Sequence, residues 1–373
     1  MKKVLSLILA LLMVLSMTAC GGKSEKMVSA DADVLETAVM EVPANEEQET
    51  APVTEPATEP QVIDAHLFLK VSSITFSVVG ESEDIYLGLV PRELVTWESD
   101  DPSVVSVENG VLTANSVGST TIRAIYYDQQ AECIAGCLAE TQEELESMGF
   151  DILSQPKRLL PEVDLDTPCT YFDNAALVGD SIAYMMLQCE AKGDYLGNML
   201  FLTRGGTSLN GFVKRFKNIY YKGHEMNLED AIAQSQVERM YILIGSNDIA
   251  SEPQRLVFFE NWDIMLERIR QKSPDVEIVL ISNIPRYANQ YEQDSFFLTY
   301  NANVAEYNEK MQQYAAENEC LYLNLCYYIE DHCGRMAKSH NLDGYHLNEP
   351  GYHVWMKVLR YYAQYELEGG TLL

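Results

Sequence analysis

The sequence predicts two folded domains: a larger α/β domain, whose parallel sheet is covered by helices on both faces, and a smaller all-β sandwich. From residue 169 onward, short apolar runs alternate with helical segments, which is the pattern of βαβ units. Between residues 65 and 139, β-prone segments with partial alternation are separated by turn residues instead. The length of 373 residues suits two domains with additional tails.

The composition indicates a globular protein with a strongly acidic character. Hydrophobic residues make up 47% of the chain and charged residues 22%, so a large core can be buried. The 26 Lys and Arg residues against 56 Asp and Glu residues give a formal net charge of -30. Because no basic block offsets this charge, we expect no nucleic-acid partner and repulsion from anionic membrane surfaces.

The first 19 residues are organised like a secretory signal peptide. Lys2 and Lys3 precede an apolar run over residues 4–15, which is too short for a comfortable transmembrane helix. Small residues then precede Cys20, an arrangement that resembles the lipobox of bacterial lipoproteins. The resemblance implies cleavage before Cys20 and a lipid on its sulfur, which would anchor the protein to the extracytoplasmic face of the cell membrane. The alternative is a plain secretory signal with an incidental cysteine.

Residues 20–64 are predicted to be a disordered acidic linker. From Ser24 onward this segment is rich in Glu, Thr, Pro and Ala and has no aromatic residue, so it cannot offset its ordering entropy. We expect a self-repelling spacer that holds the folded part away from the membrane. A tail that serves only solubility is the alternative.

Residues 65–139 form the predicted all-β domain, and residues 140–168 form a connector. The order of Trp97, Asp101-Pro102, Asn109-Gly110 and Gly118 resembles a bacterial immunoglobulin-like domain of group 2. The resemblance implies a small sandwich with Trp97 in its core and a spacer or adhesion role. Binding of wall or host polysaccharide and a passive stalk are both compatible with it.

Residues 169–373 form the predicted α/β domain. Its last helix is expected to begin after Asn348 as N-cap, with Pro350 in the first turn. The predicted strands are 175–178, 199–203, 240–244, 277–282 and 320–324, and the predicted helices are 182–189, 228–235, 258–272, 301–319 and 349–366.

Four short stretches at the ends of these elements carry chemistry. Residues 179–181 read Gly-Asp-Ser, residues 204–208 and 245–248 follow the next two strands, and residues 343–346 precede the last helix. Because the carboxyl ends of parallel strands converge at one edge, we expect these stretches to meet there. Taken alone, Gly-Asp-Ser is equally typical of an ordinary strand-to-helix turn.

Together the four stretches resemble the SGNH (GDSL-type) hydrolase superfamily, whose four marker residues would here be Ser181, Gly206, Asn247 and His346. The resemblance implies a three-layer α/β/α fold and hydrolysis of esters without a metal or cofactor. It also places Asp343 beside His346.

The chain departs from the family pattern in two places. The second stretch contains Gly205-Gly206, so Gly205 is an alternative oxyanion donor, and Leu347 stands where the family often has Pro. Neither departure removes a catalytic group.

The predicted roles follow from acyl-transfer chemistry. Ser181 is the nucleophile, and His346 takes its proton and returns it to the leaving alcohol. Asp343 orients the imidazole and stabilises its charged form. The backbone N–H groups of Ser181 and Gly206 and the side-chain amide of Asn247 would bind the oxyanion.

The remaining polar residues receive structural interpretations. Asp180 is expected to support the turn, and Asp248 to cap the helix after its own strand. Arg204 and Arg286 are predicted to lie in exposed loops, contacting an acidic substrate or forming surface salt bridges. Residues 287–300 contain an aromatic stretch that either lines the substrate mouth or packs. The other candidate histidines are expected to be surface or packing residues: His224, His332, His340 and His353.

Seven cysteines remain once Cys20 is set aside, and an odd number leaves at least one thiol free. Their spacing forms no zinc pattern, and no phosphate loop or nucleotide-binding motif is present in the sequence.

These observations predict an extracytoplasmic serine esterase. Its partner would be an ester-bearing small molecule or an acetylated polysaccharide, with O-acetyl esters on carbohydrate preferred. The alternatives are a lipase or thioesterase of the same superfamily, and a surface glycan-binding or adhesion protein whose hydrolase domain serves as a binding module.

Overall fold

The computed structural model describes residues 64–215, 217–288 and 295–372. The predicted signal peptide, Cys20 and nearly all of the linker lie outside the described residues, so these predictions stay as they are. Among the described helices, none is both long and apolar enough to cross a membrane.

The N-terminal domain is built from nine strands. They are β1 (Phe68–Leu69), β2 (Ser73–Val78), β3 (Ser82–Asp84), β4 (Tyr86–Leu87), β5 (Thr96–Ser99), β6 (Val105–Glu108), β7 (Val111–Ala114), β8 (Gly118–Tyr126) and β9 (Gln129–Ala139). Strands β3, β7 and β6 form a three-stranded antiparallel sheet, and β2, β9, β8 and β5 belong to a larger sheet. Apolar side chains of both sheets, among them Phe76, Leu112 and Ile122, are buried in one core.

Trp97 is half-buried and packs against the buried core, at the margin of the core position that the immunoglobulin-like resemblance implies. The residue lies on β5, an edge strand of the larger sheet, where one neighbouring strand is missing. Its ring packs edge-to-face on Tyr86 with 5.7 Å between centroids.

The connector returns to the N-terminal sheet. It contains α1 (Gln142–Ser147), α2 (Phe150–Leu153) and β10 (Arg158–Leu159). The side chain of Thr141 caps α1 by accepting a hydrogen bond from the N–H of Glu144 at 3.2 Å. Strand β10 pairs antiparallel with β2, which completes a five-stranded sheet.

The C-terminal domain contains a five-stranded parallel sheet. Its strands are β11 (Ala175–Gly179), β12 (Leu200–Thr203), β15 (Arg239–Leu243), β16 (Glu277–Ile281) and β17 (Leu321–Leu323), and a hairpin of β13 (Ile219–Tyr221) and β14 (His224–Met226) lies outside this sheet. The spatial order is β12-β11-β15-β16-β17. The chain moves from β11 to one side and then crosses to the other, so the topological switch point lies at the carboxyl end of β11.

Helices cover both faces of this sheet. They are α3 (Ser181–Gly193), α4 (Leu209–Lys214), α5 (Leu228–Ser235), α6 (Ser246–Ile249), α7 (Glu252–Arg255), α8 (Phe258–Lys272), α9 (Ser295–Glu317), α10 (Cys326–Ile329) and α11 (Glu349–Leu367). Leu177 of β11 belongs to one buried cluster with Trp355 of α11, and Val178 belongs to a second cluster with Trp262 of α8. Because successive residues of a strand point to opposite faces, the domain has three layers.

The structure confirms the predicted architecture of the α/β domain. Helices α5 and α8 have the predicted bounds. Asn348 caps α11 as predicted, because its side chain accepts a hydrogen bond from the N–H of Gly351 at 3.0 Å. The short helices α4, α6, α7 and α10 and the β13–β14 hairpin were not predicted, since elements of three to six residues are too short to show a period.

The two domains share one packed interface, in which Arg158 is central. Its side chain is only 8% exposed and donates hydrogen bonds to Glu83 at 2.9 Å and Glu330 at 2.7 Å. The guanidinium lies 4.0 Å from the centroid of the Tyr327 ring. Because Glu83 belongs to the N-terminal domain and Glu330 to the C-terminal domain, Arg158 joins them directly.

We predict that Arg158→Ala destabilises the protein by about 3 kcal/mol, because it leaves two partly buried carboxylates without their cation. Urea unfolding of the full chain measures the effect. Arg123→Ala is the matched control, since Arg123 bridges the exposed carboxylates of Asp100 and Glu132, and we expect it to change stability little. Equal effects of the two substitutions would contradict the central role of Arg158.

Candidate active site

Ser181 lies at the carboxyl end of β11 and is the first residue of α3. The preceding residue, Asp180, is the N-cap of α3 and accepts a hydrogen bond from the N–H of Ile182 at 3.0 Å. Gly179 is required by close packing, because a Cβ there would lie 2.3 Å from the carbonyl oxygen of Leu243. The close approach of β15 to β11 therefore sets the position of Ser181.

The structure brings the three predicted triad residues together. His346 Nε2 lies 3.0 Å from Ser181 Oγ, and His346 Nδ1 lies 2.9 Å from Asp343 Oδ2. This is the arrangement in which an imidazole can accept the serine proton while a carboxylate holds its other nitrogen.

The loop that carries Asp343 and His346 is held by hydrogen bonds within itself. Asp343 Oδ1 accepts from the N–H groups of Tyr345 at 3.0 Å and His346 at 2.9 Å, and Asn341 accepts from the N–H of Gly344 at 2.7 Å. Partial burial alone would raise the pKa of Asp343, but hydrogen bonds from the His346 ring and the two N–H groups lower it overall. The carboxylate therefore stays ionised beside the imidazole.

The second and third stretches are linked through Asn247. Its side-chain amide donates a hydrogen bond to the carbonyl oxygen of Thr207 at 2.6 Å. Gly206, the residue before Thr207, has a φ of +69°, which favours glycine. Among the described residues, the Asn247 side-chain amide nitrogen donates to no other acceptor. Within the part of the chain that the structure describes, the backbone N–H groups of Ser181 and Gly206 make no hydrogen bond.

Asp180 also connects the first stretch to the third. Its fully buried carboxylate accepts a hydrogen bond from the hydroxyl of Ser246, the residue before Asn247. Burial raises the pKa of Asp180 to about 6, although the hydrogen bonds from Ser246 and Ile182 oppose this shift. The sequence assigned no role to Ser246, because its partner Asp180 lies 66 positions away along the chain.

Asp248 caps a different helix from the one expected. Its two carboxylate oxygens accept hydrogen bonds from the N–H groups of Leu209 at 2.7 Å and Asn210 at 3.0 Å, which are the first residues of α4. The prediction that Asp248 caps the helix after its own strand is therefore wrong. Its side chain instead fixes the end of the 204–208 loop, together with Ser208, the N-cap of α4.

Arg286 is buried, in contrast to the prediction of an exposed loop residue. Its side chain is 7% exposed, and its guanidinium lies 3.8 Å from the ring centroid of Tyr300 and 4.6 Å from that of Tyr345. Among the described residues it forms no salt bridge. Arg204 is exposed as predicted and lies 4.0 Å from Glu225.

The other histidines do not contact Ser181 within the described part of the chain. His340 is buried, His224 is exposed, and His353 packs on Tyr195. Burial lowers the pKa of His332 to about 4, and its ring nitrogen lies 3.2 Å from Ser77 Oγ. None of the seven described cysteines forms a disulfide, and no group of three or more His, Cys, Asp or Glu side chains in the described ranges could hold a metal ion.

The fold and the site define the class. A three-layer α/β/α domain with a Ser-His-Asp arrangement at its topological switch point has the architecture of a serine hydrolase. Residues 177–354 match the model of the GDSL-like lipase/acylhydrolase family, a range that includes all four chemistry-bearing stretches. The C-terminal domain belongs to this family, and the protein is an ester hydrolase. Residues 90–135 match the bacterial Ig-like domain of group 2, so the N-terminal domain is of this type.

Three solved structures with a similar fold illustrate the likeness. A GDSL-like lipase from Bacteroides thetaiotaomicron is 13% identical, with a TM-score of 0.41 over 55% of this chain and 93% of that chain. A member of the lipolytic protein G-D-S-L family from Veillonella parvula is 19% identical, with a TM-score of 0.34 over 52% and 96%. An acetylxylan esterase from Geobacillus stearothermophilus is 14% identical, with a TM-score of 0.33 over 52% and 93%. No curated protein matches the chain significantly.

The raised pKa of Asp180 predicts a pH dependence of stability. Between about pH 4 and pH 6 the folded protein holds a proton on Asp180 that the unfolded chain has released, so the free energy of unfolding falls as the pH rises. Asp180→Asn removes this titration. As the pH rises across this range, we expect the free energy of unfolding of wild type to fall by about 3 kcal/mol more than that of Asp180→Asn. Urea unfolding at each pH measures the difference. A difference that does not change with pH would contradict the burial of an ionisable Asp180.

Proposed function

We propose that the protein is a serine esterase that hydrolyses short O-acyl esters, above all O-acetyl esters on carbohydrate, through an acyl-Ser181 intermediate. The observation that carries this proposal is the 3.0 Å contact between His346 Nε2 and Ser181 Oγ, with Asp343 at 2.9 Å on the opposite ring nitrogen.

In the first half of the reaction, Ser181 Oγ attacks the ester carbonyl carbon while His346 takes the hydroxyl proton. The C–O bond to the alcohol then breaks, and His346 returns the proton to the departing alcohol oxygen. In the second half, His346 deprotonates a water molecule, which attacks the acyl carbon and releases the carboxylic acid. Ser181 recovers its proton from the imidazolium. Asp343 holds the imidazole in orientation and stabilises its charged form throughout.

The oxyanion that forms in both halves is bound by three donors. The N–H groups of Ser181 and Gly206 and the side-chain amide of Asn247 come from three different strand ends. The hydrogen bond from Asn247 to Thr207 keeps the amide beside the Gly206 loop before substrate arrives. Donors that are fixed in advance cost no reorganisation when negative charge develops.

A short acyl group is favoured by the exposure of the described residues around Ser181. Tyr184, Gly205, Gly206, Asp343 and Tyr345 are all exposed. A long acyl chain gains about 0.8 kcal/mol for each methylene that it buries. A site at the surface provides little of this burial, whereas it leaves room for a bulky alcohol such as a polysaccharide.

The location of the substrate follows from the N-terminal sequence. A signal peptide and a lipid on Cys20 would place the enzyme on the extracytoplasmic face of the membrane. Esters of wall or dietary polysaccharides are present there. The acidic linker would allow the folded part to reach such polymers at a distance from the membrane.

Hydrolysis of a graded ester series tests the proposed function. We expect turnover of p-nitrophenyl acetate and of acetylated xylan by wild type, a steep decline of kcat/KM from the acetate to the octanoate ester, and loss of all turnover in Ser181→Ala. Ser147→Ala is the matched control, because Ser147 is exposed at the end of α1, outside the four chemistry-bearing stretches. A preference for the octanoate ester would indicate a lipase. Absence of any Ser181-dependent turnover would refute the esterase proposal.

Replacement of Asn247 tests the oxyanion site separately. We predict that Asn247→Ala lowers kcat by about 10²- to 10³-fold, since one oxyanion donor contributes about 2.7–4 kcal/mol to the barrier, while KM changes little. Steady-state kinetics with p-nitrophenyl acetate measure both constants. A KM increase as large as the kcat decrease would show that Asn247 binds the ground state instead.

A further inference from the structure

A cleft of about 620 Å³ lies between the two domains, away from Ser181. Asp84 and Tyr86 line it from the N-terminal domain, and Tyr322 and Tyr362 line it from the C-terminal domain. A second cavity of about 330 Å³ adjoins it, because the two share lining residues such as Gln312, Asn324 and Tyr327. The combined size is that of a ligand site rather than a packing defect.

We propose that this interdomain cleft binds a segment of a neutral oligosaccharide, namely part of the same glycan whose esters Ser181 hydrolyses. The inference rests on the proposed function for the identity of the glycan as substrate. It assigns the immunoglobulin-like domain a share in substrate binding, in addition to its structural contact with the hydrolase domain.

The lining of the cleft favours a polyhydroxylated ligand. Tyr327 and Tyr362 are half-buried, and aromatic rings present a negative face on which the C–H bonds of a sugar ring can pack. Because the Arg158 guanidinium lies 4.0 Å from the centroid of the Tyr327 ring, only the opposite face of that ring can take a sugar. Gln312 and Asn324 are exposed beside them, and each planar amide can donate and accept hydrogen bonds with neighbouring hydroxyl groups. The rings therefore suit the apolar C–H face of a sugar, and the planar amides suit its hydroxyl groups.

The charges in the cleft argue against an anionic ligand. The cationic side chains along both cavities are already engaged: Arg92 with Asp84, Arg158 with Glu83 and Glu330, and Lys70 with the carbonyl oxygen of Asp84. An anion would therefore have to displace existing partners in a protein whose formal net charge is -30. The polar residues disfavour an acyl chain, because burying them against methylenes would cost hydrogen bonds.

The cleft extends from the carboxyl end of β17, where Asn324 lines it, to the end of α11, where Tyr365 and residues 369–372 line it. Because Glu366 of α11 pairs with Arg239, the first residue of β15, the end of α11 lies at the amino edge of the sheet. Asn324 follows the carboxyl end of β17, which is three strands from β11, or roughly 14 Å at the usual strand spacing. The second cavity extends to Pro285 and Asn301. The side chain of Asn301 binds the backbone of Arg286 on both sides, at 2.7 and 2.9 Å, and Arg286 stacks on Tyr345, next to His346. The Pro285 end of the second cavity is therefore the end that faces the loop of His346, and a polymer that extends from this end along the surface would reach Ser181.

Gly88 offers a way to block the cleft. It lines the cavity, its φ does not lie in the left-handed region, and a Cβ there would make only an ordinary contact with the Tyr86 ring at 3.6 Å. Gly88→Trp should therefore fold while filling the mouth of the cleft. Gly149→Trp is the matched control, since Gly149 lines neither of the two cavities and a Cβ there meets nothing within 4 Å.

Binding is measured by calorimetry on the full chain carrying Ser181→Ala, with xylohexaose, cellohexaose and mannohexaose as probes and polygalacturonate and a proline-rich peptide as competitors. We expect at least one neutral hexasaccharide to bind, with at least a tenfold loss of affinity in Gly88→Trp and less than a twofold change in Gly149→Trp. Thermal unfolding verifies that both variants are folded.

Three results would overturn the inference: no binding of any neutral hexasaccharide, unchanged binding in Gly88→Trp, or tighter binding of polygalacturonate or the peptide. A second readout separates this failure from failure of the proposed function. With Ser181 intact, Gly88→Trp should lower kcat/KM for acetylated xylan relative to that for p-nitrophenyl acetate. Absence of both activities in wild type would refute the proposed esterase function. If Gly88→Trp leaves the ratio of the two kcat/KM values unchanged, only glycan binding in the cleft is refuted.

Discussion

The site depends on two buried carboxylates, Asp180 and Asp248, which lie outside the Ser-His-Asp arrangement. Asp180 caps the helix of Ser181 and accepts a hydrogen bond from Ser246, and Asp248 binds the first N–H groups of α4. Together with the bond from Asn247 to Thr207, they connect the loops after β11, β12 and β15. Burial opposes ionisation of both groups and raises the pKa of each. This cost is offset by their effect on the site, because the proposed oxyanion donors come from three separate loops that must be held in register.

The topology explains why those loops meet. The strand that follows β11 in the chain, β12, lies on one side of it, and β15 lies on the other side. This change of direction opens a crevice at the carboxyl end of β11, where Ser181 begins a helix. His346, the proposed base, comes from a loop much later in the chain, and hydrogen bonds within that loop hold it in place. The immunoglobulin-like domain packs on this body through Arg158 and shared apolar contacts, so it is a fixed part of the enzyme's surface.

The parallel sheet and the residues of the candidate site could be predicted from the sequence. The central strands are buried apolar runs, and the polar residues of the site follow them directly in the chain. The strand from Ala175 and the cap at Asn348 depend on local patterns. What could not be predicted depends on distant partners. Asp248 caps a helix that begins 39 residues before it in the sequence, counting from Leu209, and Arg286 is buried by rings of α9 and of the catalytic loop. No local pattern around either residue reports those contacts.

The central claim is that His346 activates Ser181 as a nucleophile, and covalent labelling tests it most directly. The full chain is incubated with a fluorophosphonate, and the modified peptide is identified by mass spectrometry. We predict modification at Ser181 and a labelling rate that falls by roughly 10²-fold or more in His346→Ala. Labelling at a different serine, or an equal rate at Ser181 in the two proteins, would contradict the account.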